Sequence, residues 1–386
     1  MSTAEAHAAP RLLMHRPRAS VVLAEATLRE RATELADGLL EVGCTAGDIL
    51  ALEHDCVGEA LLLALAGLEI GMSVRLGPAT LPFRAAFAAS PLRAAELSAL
   101  AQLDPLAVPS DPPSDGGISL ERLAAHGIVH RARGGKAAEE LPTRGAGSLP
   151  AVIGPAGDAI SFDDLRAGVR ALRSVGDLLR PNEALRIAPD LGRPWRLTLA
   201  LAGVEAGSLV SIGPLRAGTP VLPDIVAASR EQALLLAQSI AAPRWPAFAR
   251  RARLQSLRVM RGSRGRPDLI ARLVGALSQR GAPCGPRCLI VGDGIVPRSV
   301  CLDLHVAGTT VLQAAVDDRV AAPVLLNRPR NYRFGALGLP LPGFDCQLVD
   351  GLLEVHHADG RGRQSRQRTL VAARPGPGGF FLPTAG

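Results

Sequence analysis

Lysine is nearly missing from this chain: Lys136 is the only one among 43 basic residues. A phosphate loop of the Walker type, a Gly-rich turn ending in Lys-Ser/Thr, is therefore excluded. The near-total use of arginine, alongside abundant alanine and glycine, reads as a compositional bias rather than a selected surface. The resulting net charge of +7 is compatible with phosphate-bearing or nucleic-acid partners but does not require them.

Long apolar runs are also missing. The longest, residues 60–68 and 197–204, are too short for a membrane-spanning helix. Residues 1–20 carry His15, Arg16 and Arg18 without an apolar stretch behind them, which excludes a secretory signal. The expectation is a soluble, cytoplasmic protein. The six cysteines, at 44, 56, 284, 288, 301 and 346, are scattered, and Cys284-x3-Cys288 has no second pair at zinc-finger spacing. They are expected to be reduced thiols, buried or incidental. Several catalytic signatures do not occur: Gly-x-Ser-x-Gly, His-Glu-x-x-His and a helix-opening Gly-x-Gly-x-x-Gly. The adjacent His356 and His357 fall on a strand pattern. Neighbouring strand residues face opposite ways, so the pair cannot chelate one metal without a bulge.

What is present suffices for a large core: 386 residues, 47% hydrophobic, which suits two or three subdomains. Val21–Leu23 reads as a short strand. A helix follows, with Thr27 and Glu30 spaced as a capping box and Leu28, Ala32, Leu35, Leu39 and Val42 on one face. Gly43 stops it. Strand Ile49–Leu52, an apolar helix from Val57 to Ile70, and strand Ser73–Leu76 complete a strand–helix–strand–helix–strand run. That run predicts a parallel sheet covered by helices. Residues 104–117 and 131–148 read as surface loops. Strand Ala151–Ile153, the turn Gly154–Gly157 and a helix capped by Ser161 come next. A helix–Gly–strand unit ends at Ile212, and Glu231–Ile240 is another helix. Residues 244–272 hold nine arginines against Asp268, with Trp245 and Phe248. That stretch could bind an acidic or nucleic-acid partner, or simply be a solvated helical face.

The stretch Asn331–Gly360 is the most informative. Gly335, Gly338, Pro340, Pro342 and Gly343 punctuate a loop. Phe344, Cys346 and Leu348 then alternate with polar residues, Asp350-Gly351 turns, and Leu352–Val355 returns as a second strand. This hairpin resembles the Gly-x-x-Gly-x-Pro-x-Pro-Gly … Val-Asp-x-x-Gly-Glu-Leu segment of the adenylate-forming superfamily. That superfamily includes acyl- and aryl-CoA synthetases, peptide-synthetase adenylation domains and luciferase-like enzymes. The helix–Gly–strand order near residues 43–78 resembles its opening. Cys288–Gly294 is similar to the element walling its adenine pocket, with Gly292 and Gly294 as close-approach positions; Gly262–Gly265 is a rival register. Val311–Asp318 falls where the superfamily has Tyr-Gly-x-Thr-Glu, and there only Asp317 or Asp318 could replace the magnesium-holding acid.

The departures from that pattern are as telling. The superfamily's phosphate loop, rich in Ser, Thr and Gly and ending in Pro-Lys-Gly, lies between such a strand and the helix at Ser161. If Gly154–Gly157 is its remnant, the hydroxyls and lysine are gone. If Thr143–Pro150 is the loop, only Thr143, Gly145 and Pro150 match. The histidine carried before the next helix is not found in Asp190–Arg193. The segment Gly378–Gly386 resembles a frayed Asp-Gly-Trp-x-x-Thr-Gly-Asp, and the C-terminal domain with the catalytic lysine is not expected in this chain.

The resemblance implies an α/β fold of two stacked α/β subdomains with mixed sheets plus a small β-rich one, divided as 1–145, 146–328 and 329–386. It implies a degenerate relative with little or no adenylation activity, an acyl- or aryl-binding or accessory partner to a carrier protein or pathway enzyme in lipid, polyketide or peptide biosynthesis. Two alternatives stand beside it. One is a working acid ligase, with ATP or AMP and magnesium as cofactors, completed by a separate C-terminal domain. The other is an Arg-rich nucleic-acid binder.

Overall fold

A computed structural model describes residues 11–15, 20–53, 58–77, 82–88, 90–101, 119–135, 150–154, 157–191, 193–213, 223–240, 285–292, 294–306, 309–317, 320, 322–329, 332–333, 335–358 and 364–384. Residues 244–272, Lys136, Asp318 and most of both anticipated loops lie outside this set.

In chain order, β1 (Arg11–His15) and β2 (Ser20–Leu23) precede α1 (Glu25–Glu41). Then come β3 (Ile49–Leu52), α2 (Gly58–Glu69), β4 (Ser73–Leu76), β5 (Ala85–Phe87), α3 (Pro91–Ala101) and α4 (Leu120–Ala132). The middle of the chain runs β6 (Pro150–Ile153), β7 (Ala159–Ser161), α5 (Phe162–Ser174), β8 (Ala184–Ile187), α6 (Arg193–Glu205), β9 (Leu209–Ile212), β10 (Ile225–Ser229) and α7 (Arg230–Ile240). After that follow β11 (Cys288–Gly292), α8 (Arg298–Val306), β12 (Thr310–Ala315), β13 (Leu325–Leu326) and β14 (Leu339–Pro340). The last part is β15 (Phe344–Val349), β16 (Leu352–Ala358), β17 (Gln364–Pro375) and β18 (Phe381–Pro383).

These strands make two mixed sheets and one small antiparallel sheet. The five-stranded sheet runs β5-β3-β4-β6-β7, parallel except for β7. The nine-stranded sheet runs β14-β13-β12-β11-β10-β8-β9-β1-β2, with a parallel centre from β12 to β1 and antiparallel strands at its margins. The third sheet is β15-β16-β17-β18. Sheet membership does not follow single cuts in the chain: residues 11–23 supply the far edge of the nine-stranded sheet, and residues 150–161 complete the five-stranded one.

Two sequence expectations are corrected here. The first strand–helix–strand run is not one βαβ unit, because β2 and β3 lie in different sheets; only β3–α2–β4 is a parallel crossover within one sheet. Apolar periodicity marks a strand but carries no information about its partner. Nor is α1 capped by Thr27. Its N-cap is Ala24, without a side-chain cap, because β2 ends at Leu23 and leaves a single residue in which to enter the helix. Thr27 therefore sits inside the first turn.

Helix α2 is apolar almost all round, and its residues from Gly58 to Ala64 are buried, as expected of a helix covered on all sides. With α5 and α6 it contributes to a continuous core that also draws on both sheets and includes the fully buried Trp195, Phe87 and Leu12. On the outside, α1 and α4 cross at two glycines. A Cβ at Gly38 would lie 2.1 Å from the Leu123 carbonyl oxygen, and one at Gly127 would lie 2.0 Å from that of Glu34. Charged pairs flank the crossing: Arg131 on the buried Asp37 at 2.6 Å, and Arg133 and His130 on Glu41 at 2.7 and 3.0 Å. The Asp350-Gly351 hairpin forms as expected, with φ of 53° and 77°, the left-handed pair a two-residue turn needs.

Candidate functional site

In sheets of this kind ligands bind in the crevice beyond the carboxyl ends of the parallel strands. Here the carboxyl edges of both mixed sheets meet at the start of α6. Leu52, Leu76 and Ile212, the last residues of β3, β4 and β9, line a cavity of ≈ 20 Å³ closed on the other side by Arg196 and Leu197 of α6. Arg196 is buried, and its guanidinium donates to the carbonyl oxygens of Pro189 and Leu191. It thereby fixes the β8–α6 loop.

Gly292 ends β11 beside Ser229 of β10. A Cβ there would meet Leu191 Cδ1 at 2.9 Å and Trp195 Nε1 at 3.3 Å, so the side of this glycine facing α6 is already filled. Trp195 is wholly buried, and its indole N–H has no hydrogen-bond acceptor among the described residues. Gly294 has φ +137° and lies under the aliphatic stem of Arg230, whose Cδ would be 3.0 Å from an added Cβ. Asp317 follows β12, is buried, and its carbonyl accepts from the Val320 N–H at 2.9 Å. The structure thus brings Gly292, Gly294 and Asp317 to the carboxyl ends of two adjacent strands; Asp318 lies outside the described residues.

Several residues here were not anticipated. Ser229 donates to Asp190 and also accepts from the Gln232 N–H at 3.3 Å, capping α7. Ser229-x-x-Gln232 is a capping-box spacing, so this signal was available. Gln313 is buried on β12 and donates to the Val296 carbonyl at 3.0 Å. Nothing in the sequence marked it or Trp195, whose roles depend on packing between segments far apart in the chain.

The turn between β6 and β7 is one of the two candidate remnants of the phosphate loop. The Gly154 N–H donates to the Asp158 carbonyl at 2.8 Å, and the Gly157 N–H to the Gly154 carbonyl at 3.0 Å. A phosphate cradle works through backbone N–H groups left free to converge on the anion. Here two of the turn's donors are spent on closing a tight hairpin. Among the described residues no three His, Cys, Asp or Glu side chains gather as metal ligands. The rival candidate for this loop, Thr143–Pro150, lies outside the described residues except for Pro150.

The four described thiols, Cys44, Cys288, Cys301 and Cys346, are buried. Desolvation pushes Cys44, Cys288 and Cys346 up to about 12, with a smaller contribution from Asp48 beside Cys44 and from Asp345 beside Cys346. Burial likewise raises Cys301, to about 11. A thiol kept protonated is neither nucleophile nor metal ligand.

The chain has the fold of the N-terminal portion of the adenylate-forming acyl- and aryl-CoA ligases. The N-terminal domain of FACL13 from Mycobacterium tuberculosis superposes with a TM-score of 0.65 at 15% identity, over 98% of this chain and 96% of that one. A benzoate CoA ligase from Burkholderia xenovorans gives 0.65 at 14% identity, over 94% of this chain and 74% of its own. The amide bond synthetase McbA from Marinactinospora thermotolerans gives 0.63 at 18%, over 98% and 77%. No protein-family model and no curated protein matches the sequence itself. No helix among the described residues is long and apolar enough to cross a membrane.

Proposed function

We propose that this chain is a degenerate member of the adenylate-forming group, with little or no adenylation activity, acting as an acyl- or aryl-binding or accessory partner in a biosynthetic pathway. The observation that carries this reading is the self-closed hairpin at Gly154–Asp158. Adenylation needs aimed donors and cations to align a triphosphate with a carboxylate, and this turn supplies neither hydroxyl nor lysine. Further support comes from Leu191 and Trp195, which crowd Gly292, and from Asp317, which is buried in a turn. Gly292 and Gly294 are the positions at which a nucleotide's adenine would be met, and Asp317 or Asp318 the one that would replace the magnesium-holding acid. An aromatic or aliphatic acid is the natural ligand class, by analogy with the benzoate ligase of similar fold.

ATP–pyrophosphate exchange with the full chain, across a panel of aromatic and aliphatic carboxylic acids, tests the reading. Exchange no faster than an acid-free control is expected. Acid-dependent exchange would replace it with the reading of an active ligase.

A further inference from the structure

The nine-stranded sheet has one place where its helical connections part. Residues of β10 alternate between two cores, Ile225 and Ala227 on one face and Val226 and Ala228 on the other, as strand geometry requires. Helix α6, which follows β8, packs on the first face through Leu197, Leu199 and Ala200. Helices α7 and α8, which follow β10 and β11, pack on the second through Ala233, Ala237, Cys301 and Leu304. Strands β8 and β10 are neighbours. The crevice between their carboxyl ends is therefore the switch point of the sheet, where ligands enter folds of this kind.

The β8–α6 loop closes that crevice. Ser229, the last residue of β10, donates its hydroxyl hydrogen bond to Asp190, three residues past the end of β8, and so ties the two sides together. Behind the tie, Leu191 and Trp195 fill the space against Gly292. Arg196 donates to the carbonyls of Pro189 and Leu191, which joins the loop and the first turn of α6 into one piece.

The closed form contains its own opposition. The Trp195 N–H finds no acceptor among the described residues, and an unpaired buried donor raises the free energy of the state that buries it. Swung outward, the same N–H would reach water or an acceptor on a ligand. The orphaned donor thus favours opening, and the charge-assisted bond to Asp190 holds against it.

We propose that the β8–α6 loop is an autoinhibitory plug: Trp195 stands where the ring of an aromatic ligand would lie, and the Asp190–Ser229 bond latches it shut. The inference rests on the reading of this crevice as an acyl- or aryl-binding site. A ligand then binds only the molecules whose latch is open, and its apparent affinity is reduced by that fraction.

Asp190→Ala in the full chain tests the plug. Asp190 is exposed, so the change leaves the core intact, whereas Ser229→Ala would also uncap α7. With Trp245, the other tryptophan, replaced by phenylalanine in both proteins, fluorescence reports on Trp195 alone. The variant should be quenched more strongly by acrylamide than its parent. It should also bind indole, which matches the displaced side chain, and benzoate about tenfold more tightly, the worth of one hydrogen bond to a charged group. Loss of a merely structural contact would not raise affinity. Indole bound more tightly without benzoate would support the plug and count against the acid-binding reading. Unchanged quenching, or affinity for both probes no higher than the parent's, would overturn the proposal.

Discussion

At the α1–α4 crossing a single hydrogen decides whether two helices can touch. An added methyl at Gly38 or Gly127 would strike a backbone carbonyl far inside van der Waals contact, at 2.1 or 2.0 Å, and no rotamer change can relieve it. Gly38→Ala should cost about 3 kcal/mol, near the upper end for overpacking, measurable by urea unfolding. Gly292→Ala meets the movable end of Leu191 instead, and about 1 kcal/mol is expected. The cysteines make a second prediction at this scale. Burial holds their folded pKa values near 11 to 12 against an ordinary 9.0. Below pH 9 the thiols are protonated in both states and their contribution is complete. As pH climbs towards 12 the unfolded chain ionises first, so stability falls. Lys136 and Tyr332 are the only lysine and tyrosine, so apart from Cys56 and Cys284 few other side chains titrate in that window. Between pH 8 and 10.5 the loss should be on the order of 2 kcal/mol per buried thiol. Replacing Cys44, Cys288 and Cys346 with alanine should flatten the decline in urea midpoint. A decline as steep in the triple variant would assign it to other groups.

Among the elements, caps separate what local sequence can specify from what it cannot. Ser161 accepts from the Asp164 N–H at 3.1 Å and caps α5; Ser161→Ala should cost about 1 kcal/mol. Thr27 has the same apparent spacing to Glu30 yet caps nothing, and Thr27→Ala should change stability by less than about 0.5 kcal/mol. Thermal or urea unfolding of the pair compares them directly. The two sequences look alike; what differs is the strand before each helix, which for α1 ends one residue too close for a Thr27 cap. The β15–β16 hairpin was fully legible because a two-residue turn and strict alternation are both local. So was the helix–Gly–strand ending at Ile212, since Gly207 stops α6 where a positive φ of 75° is required. The β6–β7 turn was legible as a turn, but not the direction of its N–H groups, which hydrogen-bond back into the hairpin itself.

At the scale of the whole molecule, the hidden information was non-local. That β1 would align with β9, nearly 200 residues away and in parallel register from Arg11 to Leu13, leaves no trace in either segment. Trp195 escaped notice for the same reason, since its neighbour Gly292 arrives from a distant strand. The adenylate-forming architecture was nonetheless readable, because its glycine and proline punctuation survives at both ends of the chain. The proposal is that the chemistry attached to that punctuation has changed. The central claim is that the scaffold persists while its grip on a triphosphate is lost. Calorimetric titration of the full chain with magnesium-ATP, compared with adenosine, tests it most directly. The account predicts that the triphosphate adds no affinity over the nucleoside; micromolar magnesium-ATP binding, far tighter than adenosine, would contradict it.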